Sequence, residues 1–221
     1  MEELDCDAVV FDLDGVLVDS AACIERHWRR WASERGLDGD AVMLLTHGRP
    51  TVDTIRLAAP HLPAEAEATR LNAWEASDVD GVAEVEGAVQ LVCSLPPSAW
   101  AIATSGTRGT ALTRLRRFGI PIPGVLVTAD DITRGKPNPE VYLLAAAKLD
   151  VLPACCVALE DTPAGISAAR AAGMHVVALA TTHPQVDLKE AHMRADRLRD
   201  IRISTNAIGA HGRLTVRITE T

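Results

Sequence analysis

Residues 9–20 read VVFDLDGVLVDS, an apolar run that ends in Asp12 and Asp14, with Gly15 directly after them. A short and continuous apolar run is typical of a buried strand. Two carboxylates at the end of such a strand are costly to ionise unless a cation balances their charge. This stretch therefore predicts a metal-bound catalytic site.

Length and composition restrict the class of protein. The chain has 221 residues, of which 48% are hydrophobic, and this is enough for one sizeable α/β domain with a smaller insertion. Its net charge of -8 argues against a general nucleic-acid or anionic-membrane binder, because either normally presents a basic face. No apolar stretch approaches the roughly 20 residues that span a bilayer. We therefore expect neither nucleic acid nor a membrane among its partners.

The cysteines and the N-terminal sequence bear on the cellular compartment. Five cysteines occur without a C-x-x-C spacing, which argues against a metal-binding cysteine motif. The stretch MEELDCDAVV has neither the basic flank nor the long apolar core of a secretory signal. We expect a reduced, cytoplasmic protein that is a monomer or a weak homo-oligomer.

Short apolar runs alternate with helical patterns along most of the chain. The runs that resemble buried strands are residues 8–11, 100–104, 124–128, 155–160 and 175–180. Helix-like stretches lie around residues 87–95, 108–118, 138–148, 163–172 and 184–192. Strict alternation implies a mostly parallel sheet covered on both faces, so we expect an α/β, Rossmann-like, three-layer core.

The segment after the first strand breaks this alternation. Residues 19–81 carry helical patterns without a convincing strand, so we expect an all-helical domain inserted into a core of residues 1–18 and 82–221. Its interior is expected to hold Trp28, Trp31 and Trp74. We interpret the acidic run from residue 65 to 86 as a solvated helix face and hinge. The turn residues and β-prone runs of residues 201–221 predict a terminal hairpin.

Polar residues follow the predicted strands at the points where the strands end. In a doubly wound sheet, ligands bind in the crevice at the carboxyl ends of the strands. The residues at these ends are Asp12, Asp14 and Gly15; Thr104, Ser105 and Gly106; Lys136; and Glu160 and Asp161. Carboxylates for a metal, small donors for an oxyanion and one ammonium group thus occur together, a joint pattern that chance rarely produces.

Four motifs in this order, DLDGVLVDS, ATSGT, GKPNPEVY and EDTPAGISAARAAGM, resemble the signature motifs of the haloacid dehalogenase superfamily. The resemblance covers about residues 7–180, and it implies that the helical insertion is a cap domain. The cap segment THGRPTVDTI, with ATSGTR and EDTPAGI, is similar to small-sugar and polyol phosphatases typified by glycerol-3-phosphatase and 2-deoxyglucose-6-phosphate phosphatase.

Phosphoryl transfer needs an in-line nucleophile, charge neutralisation and protonation of the leaving alkoxide. Asp12 is the candidate nucleophile, which would form an aspartyl-phosphate intermediate. Asp14 projects on the same side of an extended chain as Asp12, so it is the candidate general acid and base. All candidate metal ligands are oxygens, which favours Mg²⁺ bound by Asp12, the Asp14 carbonyl group and Asp161. Glu160 is either a further ligand or a residue that orients the others.

The remaining motif residues are candidates for binding the substrate. Lys136 is expected to hold the nucleophile and the phosphate together as a point charge. Thr104, Ser105 and Gly106 are expected to bind a phosphate oxygen, and Gly15 allows the chain to turn close to it. In the cap, the candidate specificity residues are Thr46, His47 and Arg49.

Several alternatives can be weighed from the sequence. A dehalogenase would need neither Asp14 nor Asp161, and a phosphonoacetaldehyde hydrolase would need a cap lysine, whereas residues 1–135 contain no lysine. A phosphosugar mutase of the β-phosphoglucomutase kind shares every core motif, but THGRPTVDTI favours the hydrolase. A non-enzymatic, receiver-like phosphoaspartate switch needs no helical lid. We therefore expect a Mg²⁺-dependent phosphatase whose partner is a small phosphorylated sugar or polyol, of the glycerol phosphate or hexose phosphate type.

Overall fold

A computed structural model describes residues 3–46, 49–206 and 213–219. Its strands are β1 (Glu3–Cys6), β2 (Ala8–Phe11), β3 (Val18–Asp19), β4 (Ala83–Glu84), β5 (Trp100–Ala103), β6 (Val125–Val127), β7 (Cys156–Glu160), β8 (His175–Leu179), β9 (Met193–Ala195), β10 (Ile201–Asn206) and β11 (Arg213–Ile218). Its α-helices are α1 (Ala21–Glu34), α2 (Gly39–Thr46), α3 (Thr51–Ala58), α4 (Ala64–Ser77), α5 (Ala88–Cys93), α6 (Arg108–Phe118), α7 (Glu140–Leu149) and α8 (Pro163–Ala171).

The central sheet is parallel and has six strands in the order β6-β5-β2-β7-β8-β9. Strand β2 lies in the middle, paired with β5 on one side and β7 on the other. The strands that follow β2 in the chain are thus added on both sides of it. The carboxyl end of β2 is therefore a topological switch point. The residues that follow this strand begin with Asp12 and Leu13.

Side chains of β2 alternate between two apolar clusters, one on each face of the sheet. Val9 and Phe11 pack with α5 and α6, and Ala8 and Val10 pack with α7 and α8. Burial on both faces explains why the strand reads as a continuous apolar run. The expected α/β, three-layer core is confirmed.

The helix predicted over residues 184–192 is wrong. One short 3₁₀ turn, Gln185–Leu188, lies there, and the chain then enters β9. The His192 N–H donates to the Val176 carbonyl oxygen over 2.9 Å, and Met193 pairs with Val177. Pairing with the open edge of β8 satisfies backbone groups that the helical pattern alone would have placed in a helix.

A second sheet, in the order β1-β11-β10, is antiparallel. The pairing of β10 with β11 is the hairpin expected in the last segment, but the third strand, β1, was not predicted. Leu214 and Val216 of β11 join the apolar cluster that contains Val9. This sheet therefore closes one end of the same core. Residues 207–212, with the expected turn residues Gly209 and Gly212, lie outside the described residues.

Helices α1 to α4 lie between β3 and β4, which pair with each other through Val18 and Glu84. These helices have their own apolar cluster, which contains Trp28 and Trp31 with their rings edge to face at 5.6 Å. Trp74 is half-buried against this cluster, and the Arg30 guanidinium lies 4.1 Å from its ring centre. Among the described residues, we find no helix of the length and apolar character needed to cross a membrane.

The acidic run was expected to form a solvated helix face. In α4, however, not all of its carboxyl groups are exposed. Glu67 is buried and accepts hydrogen bonds from Trp31 Nε1 over 2.7 Å and Arg35 Nη2 over 2.6 Å. Glu75 is also buried. Beyond α4, Asp78 accepts a hydrogen bond from Arg26 over 2.7 Å and lies 2.9 Å from His27 Nε2. These contacts hold the segment that follows α4 against helix α1.

Candidate active site

The ends of the central strands face a cavity of about 410 Å³ between the parallel sheet and helices α1 to α4. Its lining contains most of the predicted site residues. These are Asp12, Asp14, Gly15, Thr46, Arg49, Thr104, Ser105, Gly106 and Asp161. Two further members of the predicted set, Lys136 and Glu160, lie directly behind this wall. His47 lies outside the described residues.

Asp12 lies at the carboxyl end of β2, and its position is fixed by the backbone. Its N–H donates to the Leu159 carbonyl oxygen over 2.9 Å, and its Oδ1 accepts from the Leu13 N–H over 2.7 Å. Oδ2 lies 3.1 Å from Lys136 Nζ. Burial raises the pKa of Asp12 to about 8, although Lys136 opposes the change. One ammonium group therefore does not balance the buried negative charge here.

Glu160 is held by hydrogen bonds to both of its oxygens. Oε1 accepts from Lys136 Nζ over 2.6 Å and from the Tyr142 hydroxyl over 2.7 Å. Oε2 accepts from the N–H of Asp161 over 2.9 Å and from the N–H and hydroxyl of Thr162. Burial opposes its ionisation, but Lys136 and these donors hold the pKa of Glu160 below its usual range. Both oxygens being occupied favours the orienting role over that of a further metal ligand.

Asp161 has an oxygen without a partner. Its Oδ2 accepts from the Thr182 hydroxyl, whereas Oδ1 is buried and has no hydrogen-bond partner among the described residues. Burial, followed by the charges of Glu160 and Asp12, raises the pKa of Asp161 well above its usual range. Carboxylate oxygens of these three acids lie within 4.8 Å of one another. An all-oxygen set with an unpartnered buried oxygen fits a hard divalent cation.

Two glycines let the chain approach these carboxylates closely. Gly15 has a φ of 80°, and a β-carbon there would overlap the Asp161 carboxylate. A β-carbon at Gly165, in the first turn of α8, would overlap the Glu160 carboxylate. The helix begins after Thr162, whose hydroxyl accepts from the Gly165 N–H over 3.1 Å. The motif EDTPAGI therefore combines the acids with a helix cap and a close backbone approach.

The candidate phosphate-binding residues lie at the end of β5. Thr104 is buried, and its N–H donates to the Val127 carbonyl oxygen over 3.0 Å. Its hydroxyl accepts from the Gly106 N–H over 3.0 Å. The Gly106 amide is thus directed into the turn, while Thr107 caps α6 by accepting from the Thr110 N–H. Thr104, Ser105 and Gly106 share the cavity wall with Asp12 and Asp14.

Asp14 lies in the cavity wall and is bonded to a residue of helix α6. Its Oδ1 accepts from the Ser20 hydroxyl over 2.6 Å and from Nη1 of Arg114. Arg114 is 1% exposed. Asp14 is therefore paired with Arg114, whereas Asp12 is paired with Lys136, and the two aspartates have separate environments.

Three residues at the site were not predicted from the sequence: Arg114, Tyr142 and Glu75. Arg114 lies on the face of α6 that also buries Ala111 and Leu115, so an arginine at the spacing of an apolar stripe was an available signal. Tyr142, the only tyrosine in the chain, lies inside the motif GKPNPEVY. Glu75 lies in the acidic run that we interpreted as solvated, and no local pattern distinguished it.

The cap side of the cavity contains two of the expected specificity residues. The Thr46 hydroxyl donates to the Met43 carbonyl oxygen over 2.9 Å, and Arg49 Nη1 donates to the Leu45 carbonyl oxygen over 3.1 Å. Both line the cavity, together with Ile24 and Trp28. This side of the cavity is therefore partly apolar, with polar groups at a few positions.

Comparison with known proteins places the chain in a family. Hexitol phosphatase A of Escherichia coli strain K12 is 37% identical over 209 residues, which cover 92% of this chain and 97% of that protein. Glycerol-1-phosphate phosphohydrolase 2 of Saccharomyces cerevisiae is 36% identical, covering 85% and 80%. Beta-phosphoglucomutase of Bacillus subtilis is 30% identical, covering 81% and 85%.

A solved structure and a family model agree with these relatives. The crystal structure of a hydrolase from Pseudomonas syringae superimposes with a TM-score of 0.73 at 26% identity, covering 86% of this chain and 93% of that one. The model of the haloacid dehalogenase-like hydrolases matches residues 6–173. The chain is therefore a member of the haloacid dehalogenase-like hydrolase family.

Proposed function

We propose that the protein is a phosphatase that hydrolyses a small phosphorylated sugar or polyol, of the glycerol phosphate or hexose phosphate type, through an aspartyl-phosphate intermediate. The observation that carries this proposal is the separation of two aspartates on one cavity wall. Asp12 is next to Lys136, and Asp14 is bonded to Ser20 and Arg114. This separation supports an attacking role for Asp12 and a proton-transfer role for Asp14.

In the first step, a carboxylate oxygen of Asp12 attacks the phosphorus atom, and the bond from phosphorus to the ester oxygen breaks. Asp14 gives its proton to that oxygen, which leaves as an alcohol. In the second step, Asp14 takes a proton from water, whose oxygen attacks the phosphorus atom. The bond from Asp12 to phosphorus then breaks, and inorganic phosphate is released.

We propose Mg²⁺ as the cofactor, held by the Asp12 carboxylate, the Asp161 carboxylate and the Asp14 backbone carbonyl group. When bound, the cation neutralises charge on the phosphoryl oxygens. The unpartnered Asp161 Oδ1 supports this assignment. Lys136, fixed by Glu160, holds the phosphoryl group beside Asp12, and Glu160 acts by orienting Lys136.

The proposed roles of the remaining residues follow from their places in the cavity. Thr104 and Ser105 bind phosphate oxygens, Gly106 holds the Thr104 hydroxyl through its N–H group, and Gly15 keeps the backbone close to them. Residues 19–81 act as the cap that encloses the substrate, with Thr46, His47 and Arg49 as specificity residues. We also propose a cytoplasmic monomer or weak homo-oligomer. Its free cysteines, among them the buried Cys6, Cys23 and Cys156, support a reducing compartment.

A mutase of the β-phosphoglucomutase kind is the second candidate, because one relative has that name and the core motifs are shared. The phosphatase is favoured because the two phosphatase relatives are more similar to this chain, at 37% and 36% identity against 30%. A receiver-like switch is not favoured, since the chain belongs to a hydrolase family.

The proposal is tested with purified protein, Mg²⁺ and a panel of glycerol, hexitol, hexose and nucleotide monophosphates. Phosphate release over many turnovers from a polyol or sugar phosphate is the expected result. Isomerisation of a sugar phosphate without phosphate release would favour the mutase. Stable phosphorylation of the protein without turnover would favour the switch.

A further inference from the structure

Glu75 and Arg114 lie on the same part of the cavity wall but come from different layers of the molecule. Glu75 is on the cap helix α4, and Arg114 is on the core helix α6. Both are at least nine-tenths buried, with exposures of 8% and 1%. The phosphoryl-transfer steps described above assign no task to Glu75, although burying a carboxyl group is costly.

Arg114 is bonded on one side only. Its Nη1 donates to Asp14, but Nε and Nη2 are buried and have no hydrogen-bond partner among the described residues. Leaving a buried charged donor unpaired is costly, so such a group in a folded protein calls for an explanation. Arg114 is thus a buried cation beside Asp14, and the N–H donors of its Nε and Nη2 are unpaired among the described residues.

Glu75 is one of those neighbours. The positive charge of Arg114 acts on its carboxyl group, although burial has the larger effect and raises the pKa of Glu75 to about 7. The same carboxyl group lines the cavity. Arg114 is therefore bonded to Asp14 on the core side and acts on Glu75, on the cap side, through its charge.

We infer that Glu75 accepts hydrogen bonds from hydroxyl groups on the leaving part of the substrate, with Arg114 as the positioning residue that holds the neighbouring Asp14. This inference rests on the proposed function, because it takes Asp14 as the group that protonates the leaving oxygen. The carbon chain attached to that oxygen must then lie beyond Asp14, where Glu75 meets the cavity. A carboxyl group there suits a polyol, whose hydroxyl groups donate hydrogen bonds to it.

The same geometry selects against charged leaving groups. Arg114 balances the charge of Asp14, so a second phosphate or a carboxylate in this part of the cavity would meet the uncompensated carboxyl group of Glu75, and like charges in a desolvated site repel. The apolar side chains of Ile24, Trp28 and Met43 complete this part of the wall. We therefore expect a preference for an uncharged polyol or sugar carrying one phosphate over bisphosphates and phosphorylated acids.

The test compares the hydrolysis of three phosphate esters by the full-length protein with Mg²⁺. Hexitol 6-phosphate has a leaving group rich in hydroxyls, p-nitrophenyl phosphate has none, and 2-phosphoglycolate carries a carboxylate. We expect Glu75→Ala to lower kcat/KM for hexitol 6-phosphate by about 10–100-fold and to change that for p-nitrophenyl phosphate by less than about threefold. Glu75→Gln should raise the value for 2-phosphoglycolate relative to hexitol 6-phosphate.

Ratios between substrates remove the effect of partial misfolding, because the active fraction cancels. Glu65→Ala is the matched control, since Glu65 is on the same helix, its side chain is 75% exposed and it pairs with Arg56. It should leave the ratios unchanged. Arg114→Met should lower activity on every ester and also reduce the hexitol-to-aryl ratio. Arg114→Lys should restore part of that ratio, which a purely structural role would not require.

Two results would overturn the inference in different ways. If the wild type hydrolyses hexitol 6-phosphate and Glu75→Ala lowers activity on all three esters equally, Glu75 does not bind the leaving group, although the phosphatase proposal stands. If the wild type hydrolyses none of the esters, the proposed function and the inference both fail.

Discussion

The core side and the cap side of the cavity are built in different ways. On the core side, Asp12 is held by the backbone of the neighbouring strand β7, Glu160 by the N–H groups that follow its own strand, and both by Lys136. On the cap side, Thr46 and Arg49 donate to carbonyl groups of their own segment. The sheet therefore fixes the reacting groups, whereas local helix and loop geometry places the cap groups. Because the two sides are held separately, we expect substitutions on the cap side to alter substrate choice with little effect on phosphoryl transfer.

The largest expected effect comes from the core side. Asp12→Asn should lower kcat by at least about 10³-fold for every substrate, because the amide cannot attack phosphorus. Circular dichroism should show an unchanged fold, since the substitution also removes a buried charge. Asp7→Asn, whose side chain is 49% exposed, is the control and should retain activity. Substantial turnover in Asp12→Asn would mean that the core side does not supply the nucleophile.

Removal of the metal should have the next largest effect. Dialysis against a chelator should lower phosphate release by at least about 10²-fold, because three buried carboxyl groups face one ammonium group. Added Mg²⁺ should restore activity and raise the unfolding temperature, as expected for a ligand that binds the folded state. Asp161→Asn should weaken both responses. Full turnover by protein shown to be metal-free would contradict the proposed site.

A smaller effect is expected from the cap side. Arg49→Ala should lower kcat/KM for a polyol phosphate by about 10-fold and leave an aryl phosphate within about threefold, because Arg49 lines the substrate part of the cavity. Arg56→Ala, at a side chain that is 55% exposed on the neighbouring helix, is the control. Equal losses on both esters would show that the two sides of the cavity are not independent.

The smallest effect concerns the pH dependence of stability. Burial raises the pKa of Asp12 from 3.8 to about 8, so the folded state favours the protonated acid. The unfolded chain binds fewer protons between these values, and the metal-free protein should lose stability as pH rises from about 4 to about 8. Thermal melts in chelator should show a shallower slope for Asp12→Asn than for the wild type. Saturating Mg²⁺ should also flatten the slope, and identical slopes in all three would count against the raised pKa.

The strand ends of the core were predictable from sequence because each buried parallel strand reads as an apolar run. Asp12, Thr104, Lys136 and Asp161 could therefore be placed at one edge of the sheet before the structure was known. The edge strand β9 was not predictable, because its three residues are defined by pairing with β8. Strand β1 was missed for the same reason, since its partner β11 lies at the other end of the chain.

The cap side was much less predictable. Glu67 and Glu75 lie eight positions apart in one acidic helix, and only tertiary packing distinguishes their buried carboxyl groups from their exposed neighbours. Arg114 has the spacing of the apolar residues of α6, but its contact with Asp14 could not be derived from that spacing. Contacts between layers decide the roles of these residues, and local sequence patterns do not encode such contacts.

The most direct test of the central claim is identification of the phosphorylated residue during turnover. Wild type and Asp14→Asn protein are mixed with a polyol phosphate and Mg²⁺, quenched in acid and reduced with borohydride, which converts an aspartyl phosphate to homoserine. Peptide mass spectrometry should then find homoserine at position 12, with more in Asp14→Asn, where release of the phosphoryl group is slowed. Turnover with homoserine at another position, or with none at position 12, would contradict the claim that Asp12 is the nucleophile.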